Sequence, residues 1–219
     1  MLFEKNDRIL FTGDSVTDFG RHRPVGEGLG EGVGPGYVRA VESFLNIFYP
    51  ELNLRISNTG SSGDTSRDLL ARFDEDVVNL NPQWVSILIG VNDVWRQFDT
   101  PSIPDGQVMP EEYRANIEEM VGRLKGKVKG IFLMTPVYME PLREDPLRAR
   151  LDEYSDILKD IAKKNDCILV DLQNAFDEYF KFRHSSFIAW DRVHPNQSGA
   201  MLIANQFLKH TGFDRNRLF

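Results

Sequence analysis

The run Trp84-Val85-Ser86-Ile87-Leu88-Ile89, closed by Gly90-Val91-Asn92-Asp93, decides how the chain is read. Its almost unbroken apolar character fits a strand covered on both faces, as in a parallel sheet packed between helices. Upstream, Arg8-Ile9-Leu10-Phe11-Thr12 and Leu54-Arg55-Ile56-Ser57-Asn58 read as shorter strands, and downstream Val128 to Met134 and Cys167 to Asp171 complete a set of five. Helical patterns fill the intervals. Tyr37, Val38, Val41, Phe44, Leu45 and Phe48 share one face ahead of Pro50. Thr65 with Asp68 predicts a capped helix carrying Leu69, Leu70, Phe73 and Val77. Pro110 opens a helix bearing Tyr113, Ile117, Met120, Val121 and Leu124, and another runs from about Pro146 to Asn165. Two more, near Ala175 to Phe182 and Gln197 to His210, bracket the loop Arg183 to Asn196, and Gly212 ends the last. Strands alternating with helices predict an α/β fold in three layers, α/β/α, around a five-stranded, parallel, doubly wound sheet. No repeat, linker or biased segment divides the chain, so residues 1–219 are expected to form one domain.

The composition narrows what such a domain does. Of 219 residues, 41% are hydrophobic and 27% charged, as in ordinary globular proteins. A formal net charge of -7 argues against a nucleic-acid or anionic-membrane surface, because phosphates attract a basic face. Cys167 is the only cysteine, which rules out an intrachain disulfide and fits a reducing compartment. Neither a signal-like apolar run at the N-terminus nor a membrane-length stretch occurs. Small neutral or uncharged substrates stay open, and cytoplasmic is the default expectation. Glycine recurs at every second position from Gly26 to Gly36, but no register gives G-x-G-x-x-G and no P-loop lysine follows. A flexible loop beside the site is expected there.

Parallel strands place their carboxyl ends on one edge, where functional side chains of open α/β sheets collect. Ser15 in Gly13-Asp14-Ser15, the turn with Gly60 and Gly63, and Asn92 therefore converge. Taken alone, Gly-Asp-Ser reads as a helix cap, Gly63 as a turn residue and Asn92 as a strand-end cap. A serine hydroxyl becomes a nucleophile only when a base removes its proton, so the histidines decide. His22 lies between Arg21 and Arg23, and His210 ends the last helix, where a cation suits the dipole. His194 stands in Ala189-Trp190-Asp191-Arg192-Val193-His194-Pro195, where Pro195 turns it away from helical geometry. Asp191, three residues back, can accept one ring N–H and leave the other nitrogen to Ser15. The alternative for that segment is a turn with an ion pair to Arg192. Acyl transfer also needs oxyanion donors, and the Ser15 N–H, the Gly63 N–H and the Asn92 amide suit that task. No cofactor or metal is called for.

These four blocks, Gly13-Asp14-Ser15, Ser61-Ser62-Gly63-Asp64-Thr65, Gly90-Val91-Asn92-Asp93 and Asp191-Arg192-Val193-His194-Pro195, resemble those of the SGNH, or GDSL-type, hydrolases. They occur in the family's order and span nearly the whole chain, with Val16 where the name motif has leucine. The resemblance implies a flavodoxin-like fold, Ser15, His194 and Asp191 as the catalytic triad, and Ser15, Gly63 and Asn92 as the oxyanion hole. More narrowly, Gly90 to Gln97, Leu133-Met134-Thr135-Pro136 and Ala189 to Pro195 are similar to bacterial intracellular acetylxylan esterases. That likeness implies an acetylated xylo-saccharide substrate, with Trp190, Trp95 and Tyr138 as stacking surfaces, and it leaves room for a homo-oligomer. Competing readings are a GDSL-type lysophospholipase, thioesterase or short-chain carboxylesterase, a metal-dependent phosphoesterase ligated by Asp14, Asp18, Asp93 and His194, and a non-catalytic carbohydrate-binding protein.

Overall fold

Five parallel strands build the centre of the computed structural model, which describes residues 1–28 and 30–217. They are β1 Arg8–Gly13, β2 Arg55–Asn58, β3 Trp84–Leu88, β4 Gly130–Met134 and β5 Ile168–Val170, in the spatial order β2-β1-β3-β4-β5. That is the flavodoxin-like arrangement of a doubly wound sheet, and the order in which strands are added reverses between β1 and β3. In register, Phe11 stands opposite Asn58, Gly13 opposite Leu88, and Leu88 opposite Met134, so the carboxyl ends of β1 to β4 lie along one edge.

Strand alternation sorts the core into two layers. Ile9, Phe11, Trp84, Phe132 and Met134 pack on one face beneath α2 Tyr37–Phe48, α8 Leu172–Phe180 and α9 Gln197–Lys209. Leu10, Val85, Ile87 and Leu133 face the other way. They meet α3 Ser66–Ala71, α4 Phe73–Asp76, α5 Val91–Asp99, α6 Pro110–Leu124 and α7 Pro146–Lys164. A single turn, α1 Ser15–Asp18, leads out of β1. The expected capping box forms: the Thr65 hydroxyl accepts from the Asp68 N–H, and the Asp68 carboxylate accepts from the Thr65 N–H at 2.9 Å. Pro110 begins α6.

Two elements depart from the sequence expectation. The helix drawn through Leu69 to Val77 is broken at Arg72 (φ -100, ψ 4) into α3 and α4. Residues 91–99, read only as a strand end and loop, form α5, whose apolar side carries Val91 and Val94. The spacing Val91, Val94, Trp95, Phe98 is helical, but the adjacent strand run hides it. The glycine-rich segment is held by its backbone, Gly26 exchanging two 2.8 Å hydrogen bonds with Asn58.

At the end of β1 the backbone has no room for a side chain. Gly13 has φ +154, and a Cβ there would lie 2.0 Å from the Leu88 carbonyl oxygen and 2.8 Å from the Thr17 hydroxyl. Glycine permits both the dihedral and the close approach of β1 to β3, which together aim the next two residues out of the sheet. No helix among the described residues is long and apolar enough to cross a membrane.

Candidate active site

The turn after Gly13 fixes Ser15. Asp14 is the N-cap of α1, and its carboxylate accepts from the Val16 N–H at 3.0 Å. Ser15, the first helical residue, is half-buried, and its Oγ lies 2.8 Å from His194 Nε2. Asp14 is buried, and desolvation pushes its carboxyl up to about 7, with the charges of Asp93 and Asp64 adding to the effect.

His194 is held by a self-contained turn between α8 and α9. Asp191 Oδ2 lies 2.5 Å from His194 Nδ1, while Asp191 Oδ1 accepts the backbone N–H groups of Val193 at 3.0 Å and His194 at 2.7 Å. Burial raises the Asp191 carboxyl, but these bonds outweigh it and hold the group below the usual carboxylate range. The turn closes because Arg192 takes the left-handed conformation (φ +66). It is fastened from outside: the Met139 N–H donates to the Arg192 carbonyl at 2.7 Å, and the Arg192 guanidinium meets Glu140 at 3.0 Å. An acceptor carboxylate on Nδ1 leaves Nε2 free to accept from a hydroxyl, the arrangement of a Ser-His-Asp triad. The ion pair considered from sequence exists as well, although Arg192 makes it with Glu140 and not with Asp191.

Gly63 and Asn92 come to the same edge on the loop after β2 and the first turn of α5. At Gly63 φ is +90 and a Cβ would meet nothing within 4 Å, so the space beside this backbone is open. The Asn92 side chain is buried and donates one amide hydrogen to the Asp64 carbonyl at 2.9 Å. Its second N–H remains available, since an amide nitrogen carries two donors. Neither the Ser15 nor the Gly63 backbone N–H finds a protein acceptor among the described residues.

The aromatic residues divide. Trp190 is 69% exposed and stacks on the His194 ring, with centroids 6.0 Å apart and planes 14° from parallel. Trp95 on α5 approaches the same ring at 6.2 Å. Tyr138 packs half-buried against the core beside Arg192, and among the described residues it makes no ring contact with His194.

The four ligands imagined for a metal site are committed elsewhere. Asp18 forms a two-pronged pair with Arg23 and accepts from both the N–H and the hydroxyl of Ser62. Asp93 is buried and holds the Ser66 N–H and hydroxyl. Among the described residues no three His, Cys, Asp or Glu side chains converge as a metal-binding group. Arg72 is the site-edge residue that motif reading missed: it donates to Asp64 at 2.6 Å and to the Gly13 carbonyl at 3.1 Å. No local pattern announces it, since the partners that matter here lie at the end of β1 and in the loop after β2.

Known proteins share this architecture. A model of the GDSL-like Lipase/Acylhydrolase family matches residues 11–202. An acetylxylan esterase from Geobacillus stearothermophilus is 46% identical over 214 residues, 98% of either chain. A crystal structure of an acetylxylan esterase from that organism superposes with a TM-score of 0.97, at 46% identity, covering 99% of this chain and 100% of the other. An alpha/beta hydrolase enzyme from the metagenome of Lake Arreo, Spain, is 47% identical with a TM-score of 0.95 over 97% of this chain and 98% of its own. With the four sequence blocks gathered on one sheet edge and a family match from β1 into α9, the chain belongs to the GDSL-like lipase/acylhydrolase family.

Proposed function

We propose that the protein is a serine esterase that removes acetyl groups from acetylated xylo-oligosaccharides or related sugars. The observation that carries the reading is the continuous line Ser15 Oγ, His194 Nε2, His194 Nδ1, Asp191 Oδ2, with steps of 2.8 and 2.5 Å. The likeness to acetylxylan esterases along the whole chain supports the choice of acyl group and sugar.

His194 Nε2 takes the Ser15 proton as Oγ attacks the acetyl carbonyl, and Asp191 stabilises the imidazolium that results. The carbonyl oxygen becomes an oxyanion held by the N–H groups of Ser15 and Gly63 and the free amide hydrogen of Asn92, where one such donor contributes about 3 to 4 kcal/mol. As the intermediate collapses, His194 returns its proton to the departing sugar hydroxyl and leaves acetyl-Ser15. Water, deprotonated by His194, attacks that ester; a second oxyanion collapses to release acetic acid, which ionises in water, and His194 returns its proton to Ser15 Oγ. No further group is needed to balance these steps. Trp190, exposed above His194, offers a flat apolar face to a sugar ring.

A series of aryl esters of increasing acyl length, run beside acetylated xylo-oligosaccharides, tests the reading. A steep preference for acetyl, acetate release from the sugars, and loss of nearly all turnover in folded Ser15→Ala are expected. Turnover near wild type in that variant overturns the mechanism, and a preference for long acyl chains overturns the substrate.

A further inference from the structure

The interruption between α3 and α4 delivers a side chain to the back of the oxyanion site. The Arg72 side chain, 19% exposed, donates Nη2 to the Gly13 carbonyl at 3.1 Å, Nη1 to the Thr59 carbonyl at 2.7 Å and Nε to Asp64 Oδ2 at 2.6 Å. Nη1 also meets Asp76 at 2.8 Å. Gly13 precedes Ser15 by two residues, Thr59 is the first residue after β2, and Asp64 follows Gly63 directly. The Asp64 carbonyl is in turn the acceptor that orients the Asn92 amide. One planar fork therefore ties the segment that carries Ser15 to the one that carries Gly63, and Asn92 joins them through the Asp64 carbonyl.

We propose that Arg72 is a positioning residue for the oxyanion hole, fixing the relative placement of its three donors. The inference rests on the oxyanion roles assigned above to Ser15, Gly63 and Asn92. Orientation, and not field, is the means: the guanidinium charge is more than offset by the carboxylates of Asp64 and Asp76, so the cluster presents no net positive charge to an oxyanion. Burial pushes the Asp64 carboxyl up, and its hydrogen bond to Arg72 opposes that shift. Donors aimed before the reaction stabilise the oxyanion without reorganising, and a small misplacement forfeits that advantage. A lysine keeps the charge but has no rigid fork with which to span the Gly13 and Thr59 carbonyls and the two carboxylates.

The test uses Arg72→Lys, Arg72→Met, Asp64→Asn and the double variant R72K/D64N, each confirmed as folded by its thermal midpoint and near-ultraviolet dichroism. On a small aryl acetate, kcat is expected to fall about 30- to 100-fold in both Arg72 variants, with KM within about threefold, since the lost contacts act on the transition state. The inhibition constant of an aryl boronic acid, which forms a tetrahedral adduct with the serine, should rise by a similar factor. The pH midpoint of kcat/KM should stay in place, because the His194 turn is untouched. Asp64→Asn should lose less than either, and the double variant little more than Arg72→Lys, as expected when both changes break one network. Lysine retaining more than a third of wild-type kcat overturns the proposal. So does a loss that appears in KM with boronate inhibition unchanged, or losses that add in the double variant. If Arg72→Lys fails to fold, Asp64→Asn decides through the same split between kcat and boronate binding. Ser15→Ala, run alongside, separates failure of this proposal from failure of the esterase reading, because only the latter leaves that variant active.

Discussion

Replacing Asp191 with asparagine isolates the charge that serves His194 while leaving most of the turn intact. Asparagine Oδ1 can still accept the N–H groups of Val193 and His194, now made at 3.0 and 2.7 Å, so the backbone of the turn should persist. What changes is the 2.5 Å contact with His194 Nδ1. An amide N–H placed there donates to Nδ1, which moves the ring proton to Nε2, so the nitrogen facing Ser15 can no longer accept. The imidazolium formed during attack also loses its counter-charge. A unit pair near 4 Å at an effective dielectric of 20 interacts by about 4 kcal/mol, or close to three powers of ten in rate. With the wrong tautomer added, the expected fall in kcat is about 10³- to 10⁴-fold, as for a carboxylate-to-amide change in a Ser-His-Asp enzyme. KM on a small acetyl ester should change by no more than about threefold, because the carboxylate acts in the transition state and not on bound substrate. Stability offers a second signature. The folded Asp191 carboxyl lies below its ordinary value, so its stabilisation is present above the unfolded value near 4 and is lost as pH falls through the folded one. The thermal midpoint of the variant should therefore trail wild type at pH 7 and converge with it at strongly acid pH. Steady-state hydrolysis of an aryl acetate, beside thermal melts at several pH values, supplies all three quantities. A folded variant that keeps kcat within tenfold of wild type at pH 7 would refute the assignment of Asp191 to His194.

Two further substitutions probe how the site is built. Gly13→Ala forces a Cβ to 2.0 Å from the Leu88 carbonyl at φ +154, and should cost about 3 to 5 kcal/mol from strain and overlap together; an unchanged melting midpoint would mean that β1 and β3 are not held as closely as described. The Asp14 carboxyl stands near 7 in the fold against about 4 in the unfolded chain, so between those values the native state keeps a proton that the unfolded state has lost and stability declines as pH rises. Asp14→Asn keeps the cap to the Val16 N–H and should be stabilised relative to wild type more at pH 8 than at pH 5; an equal difference at both pH values would disprove the buried-acid account.

The chain itself determined the parts whose physics is local. The apolar run Trp84 to Ile89 announced a doubly covered strand, the Thr65–Asp68 pair a helix start, and Pro110 another, because pattern, capping and fixed φ act within a few residues. Asp191-x-x-His194-Pro195 belongs to the same class: the turn satisfies its own hydrogen bonds, so its spacing already implied an acid oriented toward a histidine. The approach of Ser15 to His194 was legible at one remove, since strand alternation predicts a parallel sheet and such a sheet has one functional edge.

Tertiary structure decided the rest. The break at Arg72 lies inside a sequence with good helical spacing, and it occurs where the guanidinium collects carbonyls from β1 and the first residue after β2. Those acceptors are 59 and 13 residues away in the chain, beyond the reach of any local propensity. The fold likewise separates the helical residues 91–99 from the strand run ahead of them and sets the Asn92 amide against the Asp64 carbonyl. Of three candidate aromatic rings, the fold brings Trp190, on the His194 turn, and Trp95, on α5, beside His194 and leaves Tyr138 against the core. A sequence specifies which groups are capable of chemistry; which of them share a hydrogen-bonding network depends on distances that exist only after the strands have paired.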